Sequence, residues 1–281
     1  MDNNTNNYSA VRQINRKMIS QNIEVEKVIS NMRVIEKFLN DFGFLTFGRD
    51  SFFHNNHAHS GLQIVSTSCE LTAGSIISCC ESGCLADAYS LLRKYRDDLF
   101  FYLYVEVNSA YNQLQTADKD KINDNIGRWL KNDLKDLYIV EVLKTVGQSP
   151  HLKDAVKKYN LKASFDIIAD KLNNFVHSNG ISFYNRNVNM YHGDDLQNHM
   201  QALLEDMRYI TVSFLFLLTL CSPSSIMSTE YLDCLGLGLP PTEGSEHWVE
   251  PFIIRFFKSN LDLIDESCMD YLRDNTPMEF D

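Results

Sequence analysis

Proline and glycine are scarce, at 6 and 12 in 281 residues. Both residues interrupt regular structure, so a chain this poor in them can carry long unbroken elements. Apolar residues recur at steps of 3 and 4, which makes those elements helices and the expected fold all-α. Long hydrophobic runs are missing too. The longest, Tyr209 to Cys221 (YITVSFLFLLTLC), falls short of a bilayer span and stops at Ser222-Pro223-Ser224-Ser225. It reads as a core helix, and no membrane partner is expected. The leading segment MDNNTNNYSAVRQ is polar and Asn-rich, without a signal-peptide pattern. Cysteine is few and odd in number, at 7, which favours reduced thiols and a cytoplasmic location over a disulfide framework. Cys79, Cys80 and Cys84 cluster at a spacing unlike zinc ligands and read as buried small hydrophobes. No G-x-x-x-x-G-K-[ST], G-x-S-x-G, H-E-x-x-H or dinucleotide-binding glycine pattern occurs. No cofactor or metal is therefore expected.

What is present centres on Leu85 to Val107, LADAYSLLRKYRDDLFFYLYVEV. Leu85, Tyr89, Leu92, Arg96, Leu99 and Leu103 follow at alternating steps of 4 and 3 and share one helical stripe. Arg96 is the one charge on that stripe. A guanidinium buried there needs a partner, because an unpaired buried charge costs roughly several kcal/mol. Asp170 is one candidate partner, and Asp97 and Asp98 are suited to pair with Arg93 and Lys94 on a solvated face.

Around this helix the spacings predict others. One runs over residues 8–40, and a small-residue helix over 66–82 ends before Gly83. A helix over about 119–146 carries Ile122, Ile126, Trp129 and Leu130, and a short one follows Ser149-Pro150. Ser164 caps SFDIIADKLNNFVH, whose inward face holds Phe165, Ile168, Leu172 and Phe175. Asp194 or Asp195 opens the helix that reaches Leu220; shorter helices follow near 228–235 and from Trp248 to Leu263. Residues 41–61, with Gly43 and Gly48, and the Asn-rich 181–193 read as loops.

Charge divides the chain. Residues 193–281 hold 4 of the 26 basic side chains and 16 of the 37 acidic ones, a net of −12 that leaves +1 for residues 1–192. The expected architecture is a bundle-like helical core over 1–192 with an acidic helical region, 193–281, packed on it as a second part or as one continuous domain. Acidity in that region repels nucleic acid and suits a basic protein partner. Self-association is the other way such a chain finds a protein partner.

Three histidines, His54, His57 and His59, lie within six residues. They read as exposed side chains rather than a metal site, because no second ligand cluster is near beyond Asp50. His177 ends the helix that begins at Ser164. There a charged imidazole is favoured by about 0.3–1 kcal/mol, and it also exchanges a proton near neutral pH.

Two stretches match an R-x(4–6)-H element: Arg49 to His54 (RDSFFH) and Arg186 to His192 (RNVNMYH). In this the chain resembles HEPN-type ribonucleases. That resemblance implies an all-α domain in which arginine steadies the phosphate and histidine serves as acid or base, without a metal. The pairing of LLRKYRDDLFFYLY with KLNNFVHSNG also resembles uncharacterised bacterial helical proteins of abortive-infection and toxin type. The catalytic set this suggests is Arg93 or Arg96 with His177, and the alternates are Arg186 and His192. Side chains on packed helices are better held than those on Gly-flanked loops, which favours His177 over His54 or His192. Two functions follow as expectations: an RNA-cleaving antiviral defence or toxin protein, or a non-catalytic interaction or regulatory subunit binding through its acidic C-terminal region.

Overall fold

The computed structural model of the chain describes residues 7–53, 57–110, 126–133, 139–177, 179–188 and 194–281. It is all-α, with a multi-helix bundle core. Among the described residues the helices include α1 (Asn7–Gln21), α2 (Ile23–Phe53), α3 (His57–Glu81), α4 (Leu85–Ala110), α5 (Ile139–Gln148) and α6 (Lys153–Lys158). They continue with α7 (Leu161–Val176), α8 (Ile181–Val188), α9 (Asp194–Cys221), α10 (Thr229–Gly236), α11 (Pro251–Asn260) and α12 (Cys268–Asn275). Among the described residues the only extended pairings are the isolated bridges Met227 with Val249 and Trp248 with Glu279. No described helix is long and apolar enough to cross a membrane.

The chain forms two compact units, each assembled from separate segments. Unit 1 comprises Met1–Lys37, Cys69–Arg96 and Ala163–Arg208; unit 2 comprises Phe38–Ser68, Asp97–Lys162 and Tyr209–Asp281. The domain boundary expected at 192/193 lies outside the described residues.

In unit 1 the α4 stripe is buried as its spacing requires: Leu85, Tyr89, Leu92 and Arg96 are each 2% exposed or less. The turn between α3 and α4 needs Gly83, whose φ is +73°, and a Cβ there would stand 2.8 Å from Asn15 Nδ2. Asn15 and Arg16 of α1 both reach Ser82 in that turn. α1 and α2 are two helices rather than the single one expected over 8–40. Asn22 separates them, and its Oδ1 accepts the amides of Glu24 and Val25, the usual work of a helix N-cap.

Unit 2 is built around aromatic side chains. Phe38 stacks on Phe256 at 4.0 Å, Phe214 meets Phe42 and Tyr102 edge-on at 5.9 and 5.5 Å, and Phe101 packs on Trp129 at 4.6 Å. Every residue from Ile210 to Cys221 on α9 is buried, as an all-round apolar helix must be. Leu99 and Leu103, the rest of the α4 stripe, are buried here.

Further expectations change. Ser164 does not cap α7 but lies inside it, since that helix begins at Leu161. The helix expected over about 119–146 is interrupted at residues 131–133, where Asn132 has φ +57°. α3 begins at His57, within the expected loop. Residues 41–53 are helical instead of looped, because Phe42, Leu45 and Thr46 continue the buried face of α2. Gly43 does not break that helix; it lets α3 approach, since a Cβ would stand 3.3 Å from Ser66 Oγ. Residues 181–188 form α8 rather than part of a loop. The helix expected from Trp248 begins at Pro251, with Trp248 and Val249 in the isolated bridges.

Candidate functional site

Unit 1 gathers titratable side chains around an aromatic stack. The stack follows from two heptad-like stripes. On α7, Phe165, Ile168, Leu172 and Phe175 are buried at steps of 3 and 4, and on α4 Tyr89 holds the equivalent inward position. Their rings meet face to face, with centroids 4.1 Å apart and planes 10° from parallel. Phe183 of α8 closes on Phe175 edge-on at 4.9 Å.

Each ring of the stack carries its own cation. Lys171 Nζ lies 5.1 Å from the centre of Tyr89, and the Arg186 guanidinium lies 5.8 Å from the centre of Phe175. Lys171 precedes Phe175 by one helical turn, so its stem lies at the edge of the buried stripe. Its ammonium also donates to Asp206 Oδ2 at 2.5 Å. Asp206 sits on α9 two turns beyond His199, on the same helical edge. The Tyr89 hydroxyl donates to the His199 carbonyl at 3.4 Å.

Burial and charge tune these groups in different directions. Burial raises the Asp206 carboxyl above its usual value, and the bond from Lys171 opposes this without reversing it. Tyr89 is pushed up by burial and by Asp206. His199 is pushed down, first by burial and then by Arg186, with Lys171 adding to the fall and Asp195 opposing it. At neutral pH the imidazole is therefore uncharged, with two fixed cations in its surroundings. Such a cluster can accept a proton and hold an anion at one place.

The expected site residues take diverse positions. Arg96 is 2% exposed, so contact with a substrate phosphate would require the helices around it to part. Arg93 is half-buried on α4. His177 follows the end of α7 and is exposed, its amide donating to the Asn173 carbonyl. Asp170, weighed as a partner for Arg96, is exposed. Arg186 enters the cluster on α8, close enough to His199 to lower its proton affinity. His192 and His54 lie outside the described residues. His57 and His59 fall in the first turn of α3. Among the described residues no three His, Cys, Asp or Glu side chains group as a metal site.

Lys171, His199 and Asp206 were not singled out by sequence. A weak signal for them existed: His199 and Asp206 are seven residues apart beside the apolar stripe of Leu196, Met200, Leu203 and Met207. Which helix faces that edge is a tertiary fact with no local signature. The chain matches no protein-family model, no curated protein and no solved structure.

Proposed function

We propose that the chain is a HEPN-like endoribonuclease of bacterial defence or toxin type, working in the cytoplasm without a metal through the Arg186 and His199 cluster of unit 1. The observation that carries this reading is the gathering of Arg186 and Lys171 on the Tyr89–Phe175 stack, beside a half-buried His199 whose proton affinity burial and both cations lower. In such a site His199 takes the proton of a ribose 2′-hydroxyl, the 2′-oxygen attacks the adjacent phosphorus, and the 5′-oxygen leaves with a proton from water. Arg186 and Lys171 offset the charge that gathers on the phosphate oxygens. General-base catalysis of this kind contributes about 10²–10⁴-fold.

The test is cleavage of single-stranded RNA by purified protein in the presence of a chelator. Arg186→Ala and His199→Ala should each lose at least ~100-fold in rate, while His177→Ala and Arg93→Ala stay near wild type. Loss in His177→Ala with retention in His199→Ala moves the site to His177 and the α4 arginines. If the wild-type protein leaves RNA intact, the enzyme reading is wrong.

One observation favours a second reading, a non-catalytic interaction or regulatory subunit that binds a basic protein partner. Between Glu230 and Asp281 eleven exposed side chains are carboxylates, against three exposed cations, Arg255, Lys258 and Arg273. Binding through this region should weaken steeply between low and physiological salt, as titration calorimetry would register.

A further inference from the structure

An eight-residue helix, α8, delivers Arg186 to the cluster. Isolated helices shorter than ~12–15 residues do not hold in water, so α8 depends on what it is fastened to. Its outer residues Ile181 and Tyr184 are 75% and 57% exposed and contribute little. Phe183 supplies an apolar anchor on Phe175. Asn187, one turn later on the same face, supplies a polar one.

That polar anchor answers a deficiency at the start of α4. The first amides of a helix have no partner within it, and an N-cap side chain usually accepts from them. The residue before α4 is Cys84, whose thiol is directed instead to the Ser82 carbonyl at 3.8 Å. Asn187, about a hundred residues further along the chain, takes over. Its Oδ1 accepts the amides of Ala86 at 2.9 Å and Asp87 at 3.3 Å, and its Nδ2 donates to Asp87 Oδ1 at 2.9 Å. These three bonds use the side chain as both acceptor and donor, which fixes its orientation.

We propose that Asn187 is a positioning residue: by capping α4 in trans it seats α8 and so holds Arg186 over Phe175 and near His199. The inference rests on the reading of Arg186 and His199 as a working pair. Among the described residues three charged groups act on the His199 imidazole: Arg186 from α8, Lys171 from α7 and Asp195 from α9 itself. Displacing α8 removes only the first.

The experiment follows the His199 imidazole by NMR titration, its signal assigned as the one missing from His199→Ala. Arg186→Ala sets the scale, raising the midpoint toward the ordinary histidine value of about 6.5. Asn187→Ala should raise it in the same direction by at least half as much, although it leaves Arg186 in place. Asn187→Asp alone sets two carboxylates against each other and should also raise it. Adding Asp87→Asn to that variant exchanges donor and acceptor, and the midpoint should return to wild type. An unchanged midpoint in Asn187→Ala overturns the proposal, as does an unmoved midpoint in Arg186→Ala. If Asn187→Ala does not fold, the exchange pair decides: failure of the double variant to restore the midpoint overturns it. RNA cleavage is scored separately on the same samples. A wild-type protein that leaves RNA uncut, yet titrates as described, loses the ribonuclease reading and keeps the positioning role of Asn187.

Discussion

Replacing both rings of the α4–α7 stack by leucine tests whether it acts as a unit. Phe175 is 7% exposed and Tyr89 2%, so either change to leucine is made inside a packed core. Leucine fills less space than either ring, so each change costs about 1–2 kcal/mol through packing, and Tyr89→Leu also removes the hydroxyl that donates to the His199 carbonyl. The near-parallel contact at 4.1 Å adds a pair term of about 0.5–1.5 kcal/mol that either single change removes. Each variant also loses a cation contact, Lys171 from Tyr89 or Arg186 from Phe175, of about 0.5–1 kcal/mol near the surface. Each single change should therefore cost about 2–4.5 kcal/mol. The double variant should cost less than the sum, because the pair term is lost only once. Urea unfolding followed by far-UV circular dichroism gives the four free energies of the cycle, and unchanged m-values keep them comparable. A deficit of about 0.5–1.5 kcal/mol supports the stack. Additive costs, within about 0.3 kcal/mol, would mean that the two rings touch without stabilising one another.

Arg96→Ala should destabilise the protein by about 3–5 kcal/mol, because it strips a buried charge from groups arranged around it; a melting temperature within error of wild type would refute this. Asp206 has its carboxyl raised on folding, so the folded state holds its proton more tightly than the unfolded chain. Stability from this group is fully present below the ordinary carboxyl value and is lost as pH rises through the raised one. The unfolding free energy of wild type minus that of Asp206→Asn should accordingly fall with rising pH across that window. A flat difference in denaturant titrations over the same range would contradict the assignment.

Periodicity carried the fold a long way. The α4 stripe was legible because a run of six inward positions at steps of 3 and 4 fits helix alone, and all six are buried. The α7 stripe was legible for the same reason. Glycine misled at Gly43, since sequence does not distinguish a residue that ends a helix from one that admits a neighbour. Asparagine misled over 181–188, where Asn187 serves another helix instead of the local turn that its residue type suggests. The site was less legible. Arg186 was visible through its spacing to His192, but its observed companion, His199, comes from a different helix. Lys171 and Asp206 look like ordinary surface charges until α7 and α9 lie side by side, and no local pattern encodes that pairing.

The interleaved segments of the two units have a consequence for how the chain is made. Synthesis proceeds from one end, yet unit 1 needs residues up to Arg208 and unit 2 needs residues up to Asp281 before either has all its parts. The start of α4 emerges long before Asn187 exists to cap it. Unit 1 is complete only after two segments of unit 2 have been made, and unit 2 only when its last segment follows, so neither is built in one uninterrupted stretch of synthesis. Long-range closure of this kind slows folding and lengthens the exposure of apolar surface. A stop codon or a cut at any single peptide bond within residues 38–208 takes a segment from both units at once. Gene fragments designed around one unit should therefore join its three segments with new linkers rather than truncate the chain.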